Sequence, residues 1–284
     1  MPVRVAILGS GNIGCDLLMK VIRSKHLECS FFIGRNSESD GLKFANKLGV
    51  PNDSLGIETI IKNINNIDLI FDATSAQAHL EHAKAVEPYG KPLINLTPAE
   101  IGTWCVPNIN REAANKSKNV NMITCGGQVS LPIVHAIKAN NNRIKYVEVV
   151  SSVSAKSAGP ATRLNINEYL CTTEKALKFF SGSENVKVIL NINPANPPVD
   201  MQTTIYTILE NPNIYDLRYN VLSIIKNVRE YMPGYRLVME PTILDGKVVT
   251  IVKATGAGDY LPPYAGNLDI ITSAAVNIAE KKFM

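Results

Sequence analysis

A glycine-rich segment directly after the first apolar run constrains the fold of this chain more than any other feature. Val3–Leu8 is continuously apolar, as expected of a strand buried on both faces. It leads into Gly9-Ser10-Gly11-Asn12-Ile13-Gly14, and residues 15–22 continue with helical spacing. In that context the first glycine allows a tight turn, the second a close approach to a pyrophosphate, and the third close helix–strand packing. The pattern predicts a dinucleotide-binding fold; the alternative is a glycine turn without a ligand.

Strands and helices alternate along the first half of the chain and change their pattern after residue 140. Buried runs such as residues 68–73 are separated by helical segments, which predicts an α/β fold with a doubly wound parallel sheet of the Rossmann type. Later strands are longer and are interrupted by helices near 166–180 and 214–229, which predicts a second α+β domain on a mostly antiparallel sheet. Asp245-Gly246 is a strong two-residue hairpin signal between its last two strands.

These patterns also predict the domain boundaries. Residues 1–127 form the dinucleotide-binding domain, and a C-terminal helix within residues 264–284 returns to it. Residues 128–263 form the catalytic and dimerisation domain. One face of its sheet needs a cover, which a second subunit would supply, so we expect a homo-oligomer, with a dimer as the simplest form.

Composition excludes several classes of function. The 29 basic and 25 acidic residues are dispersed, so nucleic acid is not an expected partner. No apolar run approaches the roughly 20 residues of a membrane helix, and the N-terminus enters a strand directly, without a signal peptide. The five cysteines are irregularly spaced and form no zinc pattern, so neither a disulfide framework nor a metal site is expected. The expectation is a soluble, cytoplasmic protein.

Cys125 stands where a predicted strand ends. Gly126 and Gly127 follow it, and from Gln128 onward the sequence suits a helix. Backbone N–H groups and the positive end of a helix dipole meet at such a position, which lowers a thiol pKa and favours an oxyanion. The alternative is a buried structural cysteine beside a tight turn.

The end of the second predicted strand bears on the choice of cofactor. An NAD site usually places an acidic side chain there, but this strand ends at Gly34-Arg35-Asn36, with Glu38 and Asp40 slightly later. Arg35 could meet the 2′-phosphate of NADP, or simply be a solvated loop residue, so both cofactors remain open. His79 and His82 are interpreted as surface residues without a carboxylate partner.

A cysteine delivered beside a dinucleotide suggests a specific chemistry, in which a thiolate adds to an aldehyde, a hydride leaves, and a thioester remains. Several motifs then become recognisable in their order: Gly9-Ser-Gly-Asn-Ile-Gly14, Phe71-Asp-Ala-Thr-Ser-Ala76, Asn121-Met-Ile-Thr-Cys-Gly-Gly-Gln128, Lys156-Ser-Ala-Gly-Pro160, Pro233-Gly-Tyr-Arg236 and Tyr264-Ala-Gly-Asn-Leu-Asp-Ile270. Over nearly its whole length the chain resembles the acylating, CoA-dependent acetaldehyde dehydrogenases, which often partner a 4-hydroxy-2-oxovalerate aldolase.

The resemblance implies a set of site residues and partners. Cys125 would be the acyl-thioester nucleophile. The cofactor, NAD or NADP, would lie on Ser10, Gly11, Asn12, Ile13, Gly14, Ser157, Ala158, Gly159, Pro160, Ala161, Thr162, Arg163, Leu164, Asn165 and Asn267. CoA and a short-chain aldehyde would be the substrates, the aldolase a partner, and aromatic hydrocarbon catabolism the setting.

The chain departs from that family at several positions. Ala161 stands where glycine is usual and Asn36 where an acid often ends the second strand. Thr203 stands where the family tends to carry an acid or an amide, so an acid that helps to ionise the cysteine in some relatives is missing here. The stretch between Arg236 and Gly256 is also short.

Two rival functions remain at this level. Phosphorylating semialdehyde dehydrogenases use a second-domain histidine beside the cysteine, but this chain has no histidine after His135. A non-catalytic dinucleotide-binding subunit of an aldolase complex would have no need of Cys125.

Overall fold

The computed structural model describes residues 1–139 and 143–283, and it describes nothing of the side chains of Pro160 and Ala161. The chain divides into two compact units. Unit 1 comprises Met1–Ile123 with Ile271–Met284, and unit 2 comprises Thr124–Ile270. The boundaries therefore lie after residues 123 and 270, whereas the sequence places them after residues 127 and 263. Within the described ranges no helix is long and apolar enough to cross a membrane.

Unit 1 is built on a parallel sheet. Its strands are β1 (Val3–Leu8), β2 (Leu27–Ile33), β3 (Asn52–Asp53), β4 (Leu69–Asp72), β5 (Leu93–Asn95), β6 (Thr103–Trp104) and β7 (Asn119–Asn121). The connecting helices include α1 (Asn12–Arg23), α2 (Asp40–Lys47), α3 (Ile57–Lys62), α4 (Ala76–Val86) and α5 (Pro107–Lys116). The strand order is β3-β2-β1-β4-β5-β7-β6. The predicted doubly wound α/β class is confirmed.

The core of unit 1 follows from its continuous apolar strands. Ala6 and Leu8 of β1 pack with Ile33 of β2 and Ile70 of β4 in one buried cluster. Side chains on both faces of a central parallel strand are covered by helices, so these strands read as apolar runs rather than alternating ones. The ends of β1 and β4 are thereby held side by side, with Leu8 opposite Asp72.

Unit 2 is built on a mixed sheet. Its strands are β8 (Ile144–Ser154), β9 (Val186–Asn193), β10 (Met201–Leu209), β11 (Tyr235–Leu244) and β12 (Lys247–Ala254), in the order β11-β12-β10-β8-β9. Its helices include α6 (Cys125–Lys138), α7 (Pro160–Leu164), α8 (Ile166–Ser181) and α9 (Ile214–Arg229), and α10 (Gly266–Lys282) begins in it. Only β8 and β9 pair in parallel, which confirms the mostly antiparallel sheet.

The predicted hairpin lies between β11 and β12. Asp245 and Gly246 have φ values of 47° and 74°, and Leu244 pairs with Lys247 across the turn. Positive φ at both central residues matches the right-handed twist of the flanking strands, and Asp-Gly tolerates it. This local signal was sufficient to predict the turn.

The segment around Cys125 differs from its prediction. The strand ends at Asn121, and α6 already begins at Cys125, so Gly126 and Gly127 are helical rather than a turn. Thr124 is the N-cap, and its hydroxyl accepts a hydrogen bond from Gly127 N–H at 3.0 Å. A capping threonine outweighs the poor helix propensity of two glycines, which is why the helix starts early.

The interpretation of His79 and His82 as surface residues was wrong. Both are buried on α4, and both Nδ1 atoms lie 2.9 Å from Oδ2 of Asp72 at the end of β4. Burial alone would raise the pKa of Asp72, but hydrogen bonds from His79, His82 and Thr74 outweigh it and hold that pKa well below its usual range. The carboxylate partner was missed because it lies on the preceding strand.

Asp72→Asn should therefore destabilise unit 1. One carboxylate oxygen serves two buried imidazoles, and an amide leaves at least one without its acceptor, so we expect a loss of about 1–3 kcal/mol of unfolding free energy. Urea unfolding followed by circular dichroism measures the change. Asp68→Asn is the control, because Asp68 pairs with Arg4 at a partly exposed site and should cost about 1 kcal/mol or less. Equal effects of the two substitutions would contradict the buried hydrogen bonds.

Candidate active site

The glycine loop of unit 1 leaves room where a phosphate would approach. Gly9 has φ of +120°, and a Cβ there would lie 2.5 Å from the Ala73 carbonyl oxygen. A Cβ at Gly14 would overlap the Gly9 carbonyl, so that glycine serves close helix–strand packing. A Cβ at Gly11 would meet nothing within 4 Å. Gly11 is also the N-cap of α1 and offers no side-chain cap, so no cap side chain occupies the first N–H groups of α1. This geometry fits a dinucleotide diphosphate.

The neighbouring residues of the loop have ordinary local roles. The Ser10 hydroxyl lies 3.1 Å from the hydroxyl of Ser39, the N-cap of α2. Asn12 and Ile13 form the first turn of α1. At the end of β2, the side chain of Asn36 accepts a hydrogen bond from Glu38 N–H at 3.0 Å. The side chain of Asn36 thus stabilises the local turn, at the position where an acidic side chain would bind a ribose hydroxyl.

Residues 157–165 form a compact segment of unit 2. Ser157 and Ala158 are buried, and the Ser157 hydroxyl donates to the Ser154 carbonyl at 2.9 Å. Arg163 donates to the carbonyls of Ala158 and Ala155 at 3.0 and 3.2 Å, so its guanidinium holds the loop backbone rather than standing clear for a phosphate. Predicted contacts through the side chains of Pro160 and Ala161 fall outside the described part of the chain.

The remaining predicted residues of this segment differ in exposure. Gly159 precedes the short helix α7, which contains Thr162 and the strongly exposed Leu164. Asn165 directly precedes α8. Arg163 is also exposed, whereas Thr162 and Asn165 are half-buried.

Asn267 lies in the first turn of α10 and is almost completely buried. Its side-chain oxygen has no hydrogen-bond partner among the described residues. A buried amide oxygen without a partner carries a desolvation cost, which a ligand N–H would remove. The carboxamide of a nicotinamide is such a donor.

Cys125 begins α6, yet its thiol pKa is not lowered as its position suggested. Burial raises that pKa to about 11, while the Tyr169 hydroxyl and the backbone N–H groups of Gly126 and Cys125 act in the opposite direction. Cys125 remains partly exposed as a residue. The expectation of a lowered pKa was wrong for this state of the protein, because desolvation of the sulfur outweighs the donors at the helix N-terminus.

Two hydroxyl groups that sequence reasoning missed fix the start of α6. The hydroxyls of Thr124 and Thr173 lie 2.7 Å apart, and Thr173 donates to the Tyr169 carbonyl at 2.6 Å. Thr173 thereby uses its only hydroxyl proton within α8, so Thr124 donates to it. Thr124 is recognisable from the sequence as an N-cap preceding a helix, whereas Thr173 and Tyr169 give no local signal.

Two family models together match most of the chain. Residues 4–117 match the "Semialdehyde dehydrogenase, NAD binding domain", and residues 125–262 match "Prokaryotic acetaldehyde dehydrogenase, dimerisation". Among curated proteins, an acetaldehyde dehydrogenase of Pectobacterium atrosepticum is 52% identical over 280 residues, covering 98% of this chain and 95% of that relative. One of Spirochaeta aurantia is 49% identical over 99% of this chain and 94% of its own. One of Carboxydothermus hydrogenoformans is 46% identical over 98% and 93%.

The two glycines of the loop give a matched pair of substitutions. Gly11→Ala places its Cβ in open space, so the melting temperature should stay close to that of the parent while NAD binding weakens by about tenfold or more. Gly14→Ala drives its Cβ into the Gly9 carbonyl and should lower the unfolding free energy by about 2 kcal/mol or more. Calorimetric titration and thermal melts separate the effects. Unchanged NAD affinity in Gly11→Ala would contradict the diphosphate site.

The raised pKa of Cys125 predicts the pH dependence of its alkylation. Only the thiolate reacts, so without cofactor the iodoacetamide rate should rise about tenfold per pH unit from neutral pH towards the pKa of about 11. Cys171→Ser removes the exposed thiol, and mass spectrometry of the Cys125 peptide separates its labelling from that of the half-buried Cys29. A rate that levels off near neutral pH would show that the thiol is already ionised there.

Proposed function

From the premise that this chain belongs to the acetaldehyde dehydrogenase family, we propose that it converts a short aldehyde and CoA to an acyl-CoA. The observation that carries this proposal is Cys125 at the first turn of α6, beside backbone N–H donors and the Tyr169 hydroxyl. The chain is an NAD-dependent aldehyde dehydrogenase by its family. Acetaldehyde is the proposed substrate because it is the one that the relatives' names print.

In the proposed reaction Cys125 acts as the nucleophile. Its Sγ, as thiolate, bonds to the carbonyl carbon of the aldehyde and gives a hemithioacetal oxyanion. Hydride loss from that carbon restores the carbonyl and leaves a thioester on Cys125. The thiolate of CoA then adds to the thioester carbon, and Cys125 Sγ departs as the leaving group. Bound NAD supplies the acceptor for the hydride.

For the cofactor we propose the residues that the family resemblance implies. Open space at Gly11 supports a diphosphate there, with Ser10, Asn12, Ile13 and Gly14 completing the loop. The partnerless Asn267 oxygen supports a hydrogen bond to the nicotinamide amide. The loop of residues 157–165 is proposed to contribute further contacts to the cofactor. The NAD binding description of the matched model favours NAD over NADP.

The positions of the histidines favour CoA over phosphate as the acyl acceptor. His79 and His82 are held by Asp72 in unit 1. His135 lies in the last turn of α6, ten residues beyond Cys125, which is about 15 Å along the helix. No described histidine of unit 2 therefore lies beside the thioester, where the phosphorylating dehydrogenases use one. The thiol of CoA is partly ionised near neutral pH without such a base.

The match to a dimerisation model supports a homo-oligomer, for which we propose a dimer. A 4-hydroxy-2-oxovalerate aldolase as the source of the aldehyde, a role in aromatic hydrocarbon catabolism and a cytoplasmic location belong to the same proposal. A reducing compartment is consistent with five cysteines present as thiols.

A coupled spectroscopic assay tests the function. Mixing the protein with acetaldehyde, CoA and NAD should produce NADH absorbance and acyl-CoA in equal amounts, and Cys125→Ser should reduce the rate by at least about a thousandfold. Cys171→Ser, at an exposed position, should retain the parent rate. Replacing CoA by phosphate tests the proposed acyl acceptor, and replacing NAD by NADP tests the proposed cofactor. Activity retained by Cys125→Ser would overturn the mechanism, and absence of NADH formation in the parent would overturn the function.

A further inference from the structure

The described residues offer the buried hydroxyl of Tyr169 in unit 2 no acceptor of normal hydrogen-bond geometry. Tyr169 lies on α8 and is 7% exposed, and its Oη has no partner of normal hydrogen-bond geometry among the described residues. A Cβ at Gly126 would overlap this Oη, so the hydroxyl lies directly against the first turn of α6. A buried hydroxyl without an acceptor costs free energy, which suggests that its acceptor is absent in this state of the site.

The Cys125 sulfur is the neighbouring group that can become that acceptor. The Tyr169 hydroxyl acts on the thiol and lowers its pKa. A neutral thiol is a weak hydrogen-bond acceptor, whereas a thiolate is a charged one, and hydrogen bonds to charged groups are roughly twice as strong. The missing acceptor of the Tyr169 hydroxyl and the raised pKa of the Cys125 thiol therefore both describe the site with the sulfur protonated.

Two further hydroxyl groups, those of Ser151 and Thr203, bear on the orientation of the Tyr169 hydroxyl. Ser151 on β8 and Thr203 on β10 are directly paired in the sheet, and their hydroxyl oxygens lie 2.9 Å apart. Both residues are buried. The Ser151 hydroxyl also acts on Tyr169 and lowers its pKa, as a donor to Oη would. If Thr203 donates to Ser151 and Ser151 donates to Tyr169 Oη, the proton of Tyr169 is directed to the sulfur.

We propose that the Tyr169 hydroxyl stabilises the Cys125 thiolate by donating a hydrogen bond to Sγ, and that Ser151 and Thr203 orient this donor. The proposal rests on the proposed function, because it concerns the nucleophile of that reaction. In the step, the S–H bond of Cys125 breaks, its proton leaves to solvent water, and Tyr169 keeps its own proton. Thr203 thus helps to orient the hydrogen-bond donor of the nucleophile, although it is not an acid.

Tyr169 is suited to be a donor and not a base. Burial, followed by the adjacent Cys125, raises the pKa of Tyr169 well above its ordinary value, so the phenol stays protonated where the thiol ionises. The groups that face Cys125 are Tyr169 from α8 and the backbone N–H groups of Cys125 and Gly126. Tyr169 is the side chain among them.

Tyr169→Phe removes this donor and keeps the ring. The cofactor-free protein with Cys171→Ser is mixed with iodoacetamide by stopped flow after a pH jump, so that labelling precedes unfolding. We expect an alkylation rate about tenfold lower at pH of about 8, because one pKa unit is tenfold in thiolate fraction. The bend of the rate profile near the parent pKa should move to higher pH. Lost access to the sulfur would instead lower the whole profile without moving the bend.

The controls separate a hydrogen bond from a general loss of structure. Tyr219→Phe, at an exposed position on α9, should leave the profile unchanged. Ser151→Ala, which keeps Tyr169, should move the bend in the same direction by a smaller amount. It also serves as the second variant should Tyr169→Phe fail to fold, which circular dichroism detects. An unmoved bend in Ser151→Ala and in a folded Tyr169→Phe would overturn the proposal.

The assay of NADH formation distinguishes this proposal from the proposed function. A parent enzyme that oxidises acetaldehyde, with an unmoved bend in folded Tyr169→Phe, overturns the role of Tyr169 and leaves the function standing. A shifted bend in a parent that forms no NADH supports the hydrogen bond and overturns the function. A shifted bend with a kcat/KM reduced by about tenfold, and restored at higher pH, supports both.

Discussion

The cap of α6 by Thr124 is the interaction on which the site in unit 2 depends. The threonine oxygen accepts Gly127 N–H while its own proton goes to Thr173, so a single hydroxyl both starts α6 and ties it to α8. Because Thr173 donates to the carbonyl of Tyr169, the same hydroxyl pair sets the position of Tyr169 along α8. The sulfur of Cys125 and the hydroxyl beside it are thus fixed by one short chain of hydrogen bonds.

The electrostatics of Cys125 are decided by competition between burial and oriented donors. Burial is the larger effect and raises the thiol pKa to about 11, so the protonated thiol is favoured at neutral pH. Backbone N–H groups at the helix start, together with Tyr169, gain strength when the sulfur becomes charged. The donors are therefore in place before the charge forms, which avoids reorganising the site during the reaction.

How much the sequence predicted depended on the distance along the chain between interacting groups. The glycine loop, the Asp245-Gly246 turn and the bounds of α9 follow from neighbouring residues, and each was predicted correctly. The pairing of Asp72 with His79 and His82 depends on the end of a strand lying against a helix. The interpretation of both histidines as surface residues was therefore wrong. Tyr169 lies 44 residues after Cys125, so no periodicity links the two, and only the packing of α8 on α6 brings them together.

The contact between Gly126 and Tyr169 also limits how this chain can change over time. The space that any side chain at position 126 would need is occupied by the phenol oxygen. A larger residue at 126 becomes tolerable only after position 169 has lost its hydroxyl or its ring, whereas the reverse order passes through a protein with two groups in one place. A substitution at position 169 must therefore precede one at position 126, and the change at 126 can be accepted only in proteins that already carry the change at 169.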